Sequence, residues 1–278
     1  MSRSKRVETF RKQLIKEIPR FPNNKASLLE LEKKYLTDLL IAYSNWKIRF
    51  VAKRPRTVTF APAVTSDARW TQWSKSVADL IQKVQNGDDL TPHLSLQPRT
   101  RGYTPASSAP DATVVDRWSD KDMLLNVTGY HHFHIGPVAC SFRSDELVFV
   151  RVTRNEFEAV AIFDHTVFND GSAERMRLHK VHVTELAKNA PPGAAILASN
   201  VTGAGTPVSG TLGAIHYVDL INKVDPLLDD PARADELRKQ YGIDVAAPAK
   251  LIWRLNHLDL CLFENATGAL LVLCRGPT

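Results

Sequence analysis

The sequence predicts an α+β protein with a helical N-terminal region, a central antiparallel β-meander and a C-terminal region of helices plus a β-hairpin. Three observations carry that reading. Apolar residues recur at helical spacing over residues 24–46 and 67–86. Between Tyr130 and Asp164 they fall instead into strand-length runs separated by polar turns, and from Lys250 to Arg275 two such runs flank Asn265-Ala266-Thr267-Gly268. The composition, 44% apolar and 24% charged over 278 residues, is that of a chain able to bury a large core without disulfides or metal.

Taken in order, the first helix covers 24–46, with Asn24 as N-cap and Leu28, Leu31, Tyr35, Leu39 and Tyr43 among the residues on one face. Trp46 to Arg56 follows, where cationic and apolar or aromatic residues interleave before and around Pro55. Arg49, Lys53, Arg54 and Arg56 are therefore candidate nucleic-acid contacts, the alternative being ordinary helix-end chemistry. A second helix spans 67–86, where Trp70, Trp73, Val77, Leu80, Ile81 and Val84 share a face and Asn86-Gly87 is a stop signal. Residues 95–115, with Pro98, Pro105 and Pro110, read as a linker.

A short helix, Ser119 to Asn126 with Ser119 as N-cap and Gly129 as its end, leads into the strand Tyr130–Ile135. A turn near Arg143-Ser144-Asp145, a strand Glu146–Thr153, a turn at Arg154-Asn155 and a strand Glu156–Asp164 complete the meander. After a Pro, Gly and Ser-rich stretch over 190–213 come helices at about 213–224 and 231–241, then the terminal hairpin with strands Lys250–Glu264 and Ala269–Arg275. These elements divide into a basic helical region (1–95), a central candidate catalytic region (96–190) and a C-terminal α+β region (191–278).

Residues 1–60 hold 15 Lys/Arg against 5 Asp/Glu, whereas the whole chain carries +6, so the positive charge is concentrated at one end. Such asymmetry points to an acidic partner, nucleic acid first, or to a solvated basic helix. Charges interrupt the N-terminus where a signal peptide needs an apolar run, and no stretch approaches the roughly 18 apolar residues of a membrane helix. Cys140, Cys261 and Cys274 are odd in number and widely spaced, as in a reducing compartment. A cytoplasmic protein without membrane contact is expected, in which the sequons at Asn126, Asn200 and Asn265 carry no meaning.

The densest chemistry lies in Tyr130-His131-His132-Phe133-His134-Ile135. On a strand, side chains alternate, so Tyr130, His132 and His134 share one face while His131, Phe133 and Ile135 share the other. The first face is the candidate site and the second the core. His93 and His216 carry no local signal, and His179 and His182 lie in a mixed charged stretch that reads as surface.

The order of these elements resembles the core of the RelE/ParE toxin superfamily and, more broadly, the barnase, EndoU, colicin and RelE group of ribonuclease folds. The matching features are the helix, the strand Tyr130–Ile135, a second strand with an embedded arginine (Leu147 to Val152, with Arg151), and an apolar third strand running into His165 and Phe168. The resemblance implies a RelE-like meander and a metal-independent endoribonuclease, of toxin or phage-defence type, acting on RNA without cofactor and restrained by an antitoxin protein. Cleavage by the neighbouring 2′-hydroxyl needs a base, an acid and fixed cations at the phosphate, and imidazole serves the first two near neutral pH. His132 and His134 are then the acid/base pair, Arg151 the phosphate clamp and His165 a third member.

Two other readings use the same residues. His132, His134 and His165 are also a candidate metal site of a hydrolase, since His-x-His on a strand presents two ligands to one side. Alternatively the histidine face is a polar surface of a noncatalytic nucleic-acid-binding module. There is also a weak echo at His257-Leu258-Asp259, a His-x-Asp before the terminal hairpin, whose role the sequence leaves open. No Walker loop, GxGxxG after a strand, GxSxG or HExxH is present, which leaves nucleotide-dependent, hydrolase-elbow and zincin chemistry without support.

Overall fold

The computed structural model describes residues 4–105, 122–135, 144–188, 190–191, 193–194, 200–243 and 248–277. Ser119 and Cys140, used in the sequence reading, lie outside them. The architecture is α+β, and the chain groups into two units, each assembled from separated segments. One comprises residues 1–48, 99–120 and 208–277; the other comprises 49–98 and 121–207. The three consecutive regions read from the sequence thus map onto two units, the first of which joins both ends of the chain.

The chain begins with a helix the sequence reading did not assign, α1 (Lys5–Glu17), capped by the Ser4 side chain, which accepts from the Val7 amide. Phe10 and Leu14 anchor it in the core. The single helix expected over 24–46 is two, α2 (Lys25–Lys33) and α3 (Leu36–Lys47). Asn24 caps α2 as expected, but Lys34 and Tyr35 take extended backbone angles and break the run. Apolar spacing alone does not report such a break, because α3 resumes burial on the same kind of face through Leu36, Leu39, Leu40 and Tyr43.

The second unit opens with β1 (Thr57–Phe60), followed by the short helices α4 (Pro62–Thr65) and α5 (Ala68–Gln72) and by α6 (Ser74–Asn86). Gly87 ends α6 at φ +76°, where a Cβ would lie 2.6 Å from the Arg54 carbonyl carbon, so glycine is required for both conformation and space. Next come α7 (Met123–Thr128), β2 (Tyr130–His134), β3 (Leu147–Val152), β4 (Glu156–Phe163) and α8 (Ala173–Lys188). Asp122 caps α7, accepting from the Leu125 amide, and Gly129 ends it at φ +73°.

The antiparallel meander is present as β2-β3-β4, and β1 adds to it in parallel on β4, giving the order β1-β4-β3-β2. Both faces of this sheet are covered. Phe133, Ile135, Val148, Val150, Phe157 and Ile162 bury against Val77, Leu80 and Val84 of α6. On the opposite face Tyr130, Leu147, Phe149, Val160 and Phe163 pack with Leu124 of α7, Val167 and Leu178 of α8. A register shift between Phe149 and Val150 opposite β4 places Val160 and Ala161 together in this second cluster.

The first unit is completed by α9 (Val208–Val224), α10 (Pro231–Gln240) and the strands β5 (Leu251–Asn256), β6 (Asp259–Glu264) and β7 (Leu270–Cys274). The expected terminal hairpin is therefore a three-stranded antiparallel sheet. What read as one strand, Lys250–Glu264, folds back at His257, which has φ +56°. The sheet is tied to its helices by Trp253 Nε1, which donates to Asp225 Oδ1 at 2.8 Å, and by the Tyr217 hydroxyl, which donates to the Leu258 carbonyl. Among the described residues no helix is long and apolar enough to cross a membrane.

Candidate active site

The alternation read from β2 holds. Phe133 and Ile135 are essentially inaccessible in the α6-facing core, and Tyr130, His132 and His134 share the other face. That face is not the open surface expected of a site, because α8 and the 3-10 turn His165–Phe168 cover it. His134 is buried, and the His132 side chain keeps 12% exposure. The candidate site is consequently the rim of this second core, at the edge strand β2, where His165 emerges with 45% of its side chain exposed.

Four rings meet there. His134 and His165 lie with centroids 5.4 Å apart and planes tilted by 35°. Phe168 presents its edge to His132 at 5.1 Å and lies 6.0 Å from His165, and it is itself exposed. Each histidine turns Nδ1 toward an oxygen. His165 Nδ1 is 2.8 Å from Asp145 Oδ1 and 2.9 Å from the Asp145 carbonyl oxygen, both acceptors, so Nδ1 carries a hydrogen. His134 Nδ1 points to the Ser144 carbonyl at 3.4 Å, and His132 Nδ1 lies 3.4 Å from Asp122 Oδ2 without hydrogen-bond geometry.

The backbone of His134 is fixed from the α6 side. His93 Nδ1 lies 3.1 Å from the His134 carbonyl, which can only accept, and His93 Nε2 lies 3.1 Å from the Lys83 ammonium, which can only donate. The two contacts together assign the His93 tautomer. His93, which has no local sequence signal, is thus a buried positioning residue for β2.

Arg151 does not join the histidine rim. It stands opposite Tyr130, four residues along β3 from the partner of His134, or about 13 Å at strand rise. Its guanidinium pairs with Glu158 at 3.2 Å and lies over the Tyr130 ring. Burial opposes its charge, but the Tyr130 hydroxyl and Glu158 outweigh that and raise its pKa. His182 of α8 sits at this end too. Its charged neighbours predict a surface position, yet it is buried with its ring edge-on to Tyr130 at 5.3 Å, and burial, with the charges of His179 and Arg151, lowers its pKa. The face therefore has two ends, a His134–His165 end and a Tyr130–Arg151–His182 end.

The predicted phosphate contacts at 49–56 divide into two buried and two accessible residues. Arg49 and Arg56 are buried. Arg56 donates to the carbonyls of Thr153, Ala52 and Arg54, and burial, with the charges of Arg54 and Arg154, lowers its pKa to about 10. It fastens the chain entering β1 to the β3–β4 turn, a structural task. Lys53 is exposed in an ion pair with Asp89, and Arg54 is half-buried. His257 lies in the β5–β6 turn, and Asp259 opens β6, buried and accepting from the Gly276 amide at 2.9 Å.

Sequence reasoning missed Asp145 and Phe168 as partners of His165, because what joins 145 to 165 is strand pairing rather than local spacing. Among the described residues no three His, Cys, Asp or Glu side chains are grouped as metal ligands. The site thus defines an α+β protein with a histidine pair at a sheet edge, one member of which is oriented by a carboxylate. Comparisons with protein-family models, with curated proteins and with solved structures found no match to the chain.

Proposed function

We propose that the chain is an endoribonuclease of toxin or phage-defence type, acting on RNA by histidine acid/base catalysis, with His134 and His165 as the proton-transferring pair. The observation that carries this reading is the 5.4 Å approach of the two rings, with His165 oriented by Asp145 through Nδ1 at an exposed rim. One imidazole accepts the proton of the attacking 2′-hydroxyl and the other donates to the departing 5′-oxygen, which requires two neighbouring groups of pKa near neutrality. His132, stacked behind them against Phe149 and Phe168, holds the rim in place rather than meeting the phosphate. Exposed Phe168 suits a base stacked beside the reacting phosphate.

The test is cleavage of single-stranded RNA by the purified chain in EDTA. His165→Ala and His134→Ala are each expected to lower the rate about 10²-fold or more, the range that a positioned general acid or base contributes. A folded double variant that cuts as fast as the parent rejects the assignment.

A further inference from the structure

A groove of about 560 Å³ runs between α1 and α2 within the first unit, a size that holds a ligand of several tens of atoms. Its α1 wall comes from Glu8, Arg11, Lys12, Ile15 and Lys16, which lie on one face by their three- and four-residue spacing, and Glu32 joins Leu28 on the α2 side. Arg20 closes the end, and Leu28 with Ile15 supplies half-buried apolar surface. The charges divide in an informative way. Arg11 is engaged, donating to the Glu32 carbonyl at 3.2 Å with Glu8 at 3.7 Å. Lys12 and Lys16 are exposed, and neither ammonium has a carboxylate within 4.0 Å among the described residues. Arg20 donates from its two terminal nitrogens to the Ile15 carbonyl and to Asn23 Oδ1, while its Nε is buried without a hydrogen-bond partner.

Arg11, Lys12, Lys16 and Arg20 against Glu8 and Glu32 leave the lining at +2, and the two exposed ammonium groups that no carboxylate neutralises are placed to take anionic oxygen. The apolar strip between the cations matches the alternation of charged phosphate and less polar sugar and base along a nucleic-acid strand. We infer that the α1–α2 groove binds the phosphate backbone of single-stranded RNA, with Lys12, Lys16 and Arg20 as the phosphate contacts. The inference rests on the RNA reading above and moves the electrostatic contact from 49–56, where two arginines are buried, to α1. Only phosphates are contacted, so binding is insensitive to base sequence.

The experiment measures binding of a fluorescent single-stranded RNA with 2′-O-methyl sugars, which cannot be cut, as a function of salt. The full-length chain, a Lys12→Gln/Lys16→Gln variant and a Lys12→Arg/Lys16→Arg variant are compared after circular dichroism confirms folding. Each phosphate contact to a single strand contributes about 0.7 to the slope of log affinity against log salt. The glutamine variant is therefore expected to show a slope shallower by about 1.4 and weaker binding at low salt, and the arginine variant to retain the parent slope. An unchanged slope in the glutamine variant, or no binding by the parent, overturns the inference; so does equal competition by polyglutamate, which would mark an acidic-peptide site. Because the probe is uncleavable, RNA held in the groove by a chain that cuts no RNA supports this site while refuting the ribonuclease, and a chain that cuts RNA with an unchanged slope does the opposite.

Discussion

Replacing Arg56 by alanine separates a structural arginine from a phosphate contact. Its guanidinium makes three bonds to backbone carbonyls, at 2.9 Å to Thr153, 2.9 Å to Ala52 and 3.1 Å to Arg54. A hydrogen bond to a charged group contributes about 1.5–3 kcal/mol. The three share one cation whose burial is itself costly, so they do not add, and a net loss of about 3 kcal/mol follows. That is a large fraction of the roughly 5–15 kcal/mol by which domains are stable. With a urea dependence near 3 kcal/mol per molar, the midpoint of the transition falls by about 1 M. Measured below that transition, affinity for RNA stays at the parent value. The reasoning is refuted if the midpoint is unchanged while RNA affinity drops, since Arg56 would then be spending its charge on a ligand rather than on the β3–β4 turn.

Phe133→Ala removes a fully buried ring that contacts Phe157 at 5.2 Å between centroids in the α6-facing core, and is expected to cost about 3–5 kcal/mol by chemical denaturation. A cost under 1 kcal/mol would contradict the assignment of faces on β2. Asp225 is held below its ordinary pKa: burial pushes it up, but bonds from Ser4, Trp253 and Arg6 win. Its ionised form therefore stabilises the fold above pH about 4, and that contribution is lost as pH falls through the lowered folded-state value. Asp225→Asn is expected to be less stable than the parent at pH 7, with the gap closing in acid; a gap that widens in acid contradicts the assigned sign.

Several features were legible because the signal was local. Alternation on Tyr130–Ile135 separated Phe133 and Ile135 from the histidines, Asn24 capped its helix, and Gly87 and Gly129 ended theirs in the left-handed region. Other features were hidden by physics that does not act locally. Helix α8 buries Leu178, His182 and Glu185, a thin and partly polar stripe that reads as surface until Tyr130 is seen against it. Strand β1 exposes most of its side chains and is specified by parallel pairing with β4, which no window around residues 57–60 contains. The turn at His257 carries a positive φ without glycine or asparagine at that position, so the strand before it looked continuous. The candidate site shows the same division: which residues share a face was readable, but burial of that face and the Asp145–His165 contact depend on α8 and on β3–β4 pairing. In the cationic run at 49–56, composition gives the charge but not its burial, which removes Arg49 and Arg56 from the surface and leaves Lys53 and Arg54 there.

The most direct test of the central claim compares two oligonucleotides of one sequence, an RNA and its counterpart with a 2′-deoxy sugar at the cleaved position, incubated with the chain in EDTA. Cleavage by a neighbouring 2′-hydroxyl through His134 and His165 predicts that the RNA is cut and the substituted strand is not. Equal cutting of both, or no cutting of any RNA by the folded chain, would contradict it.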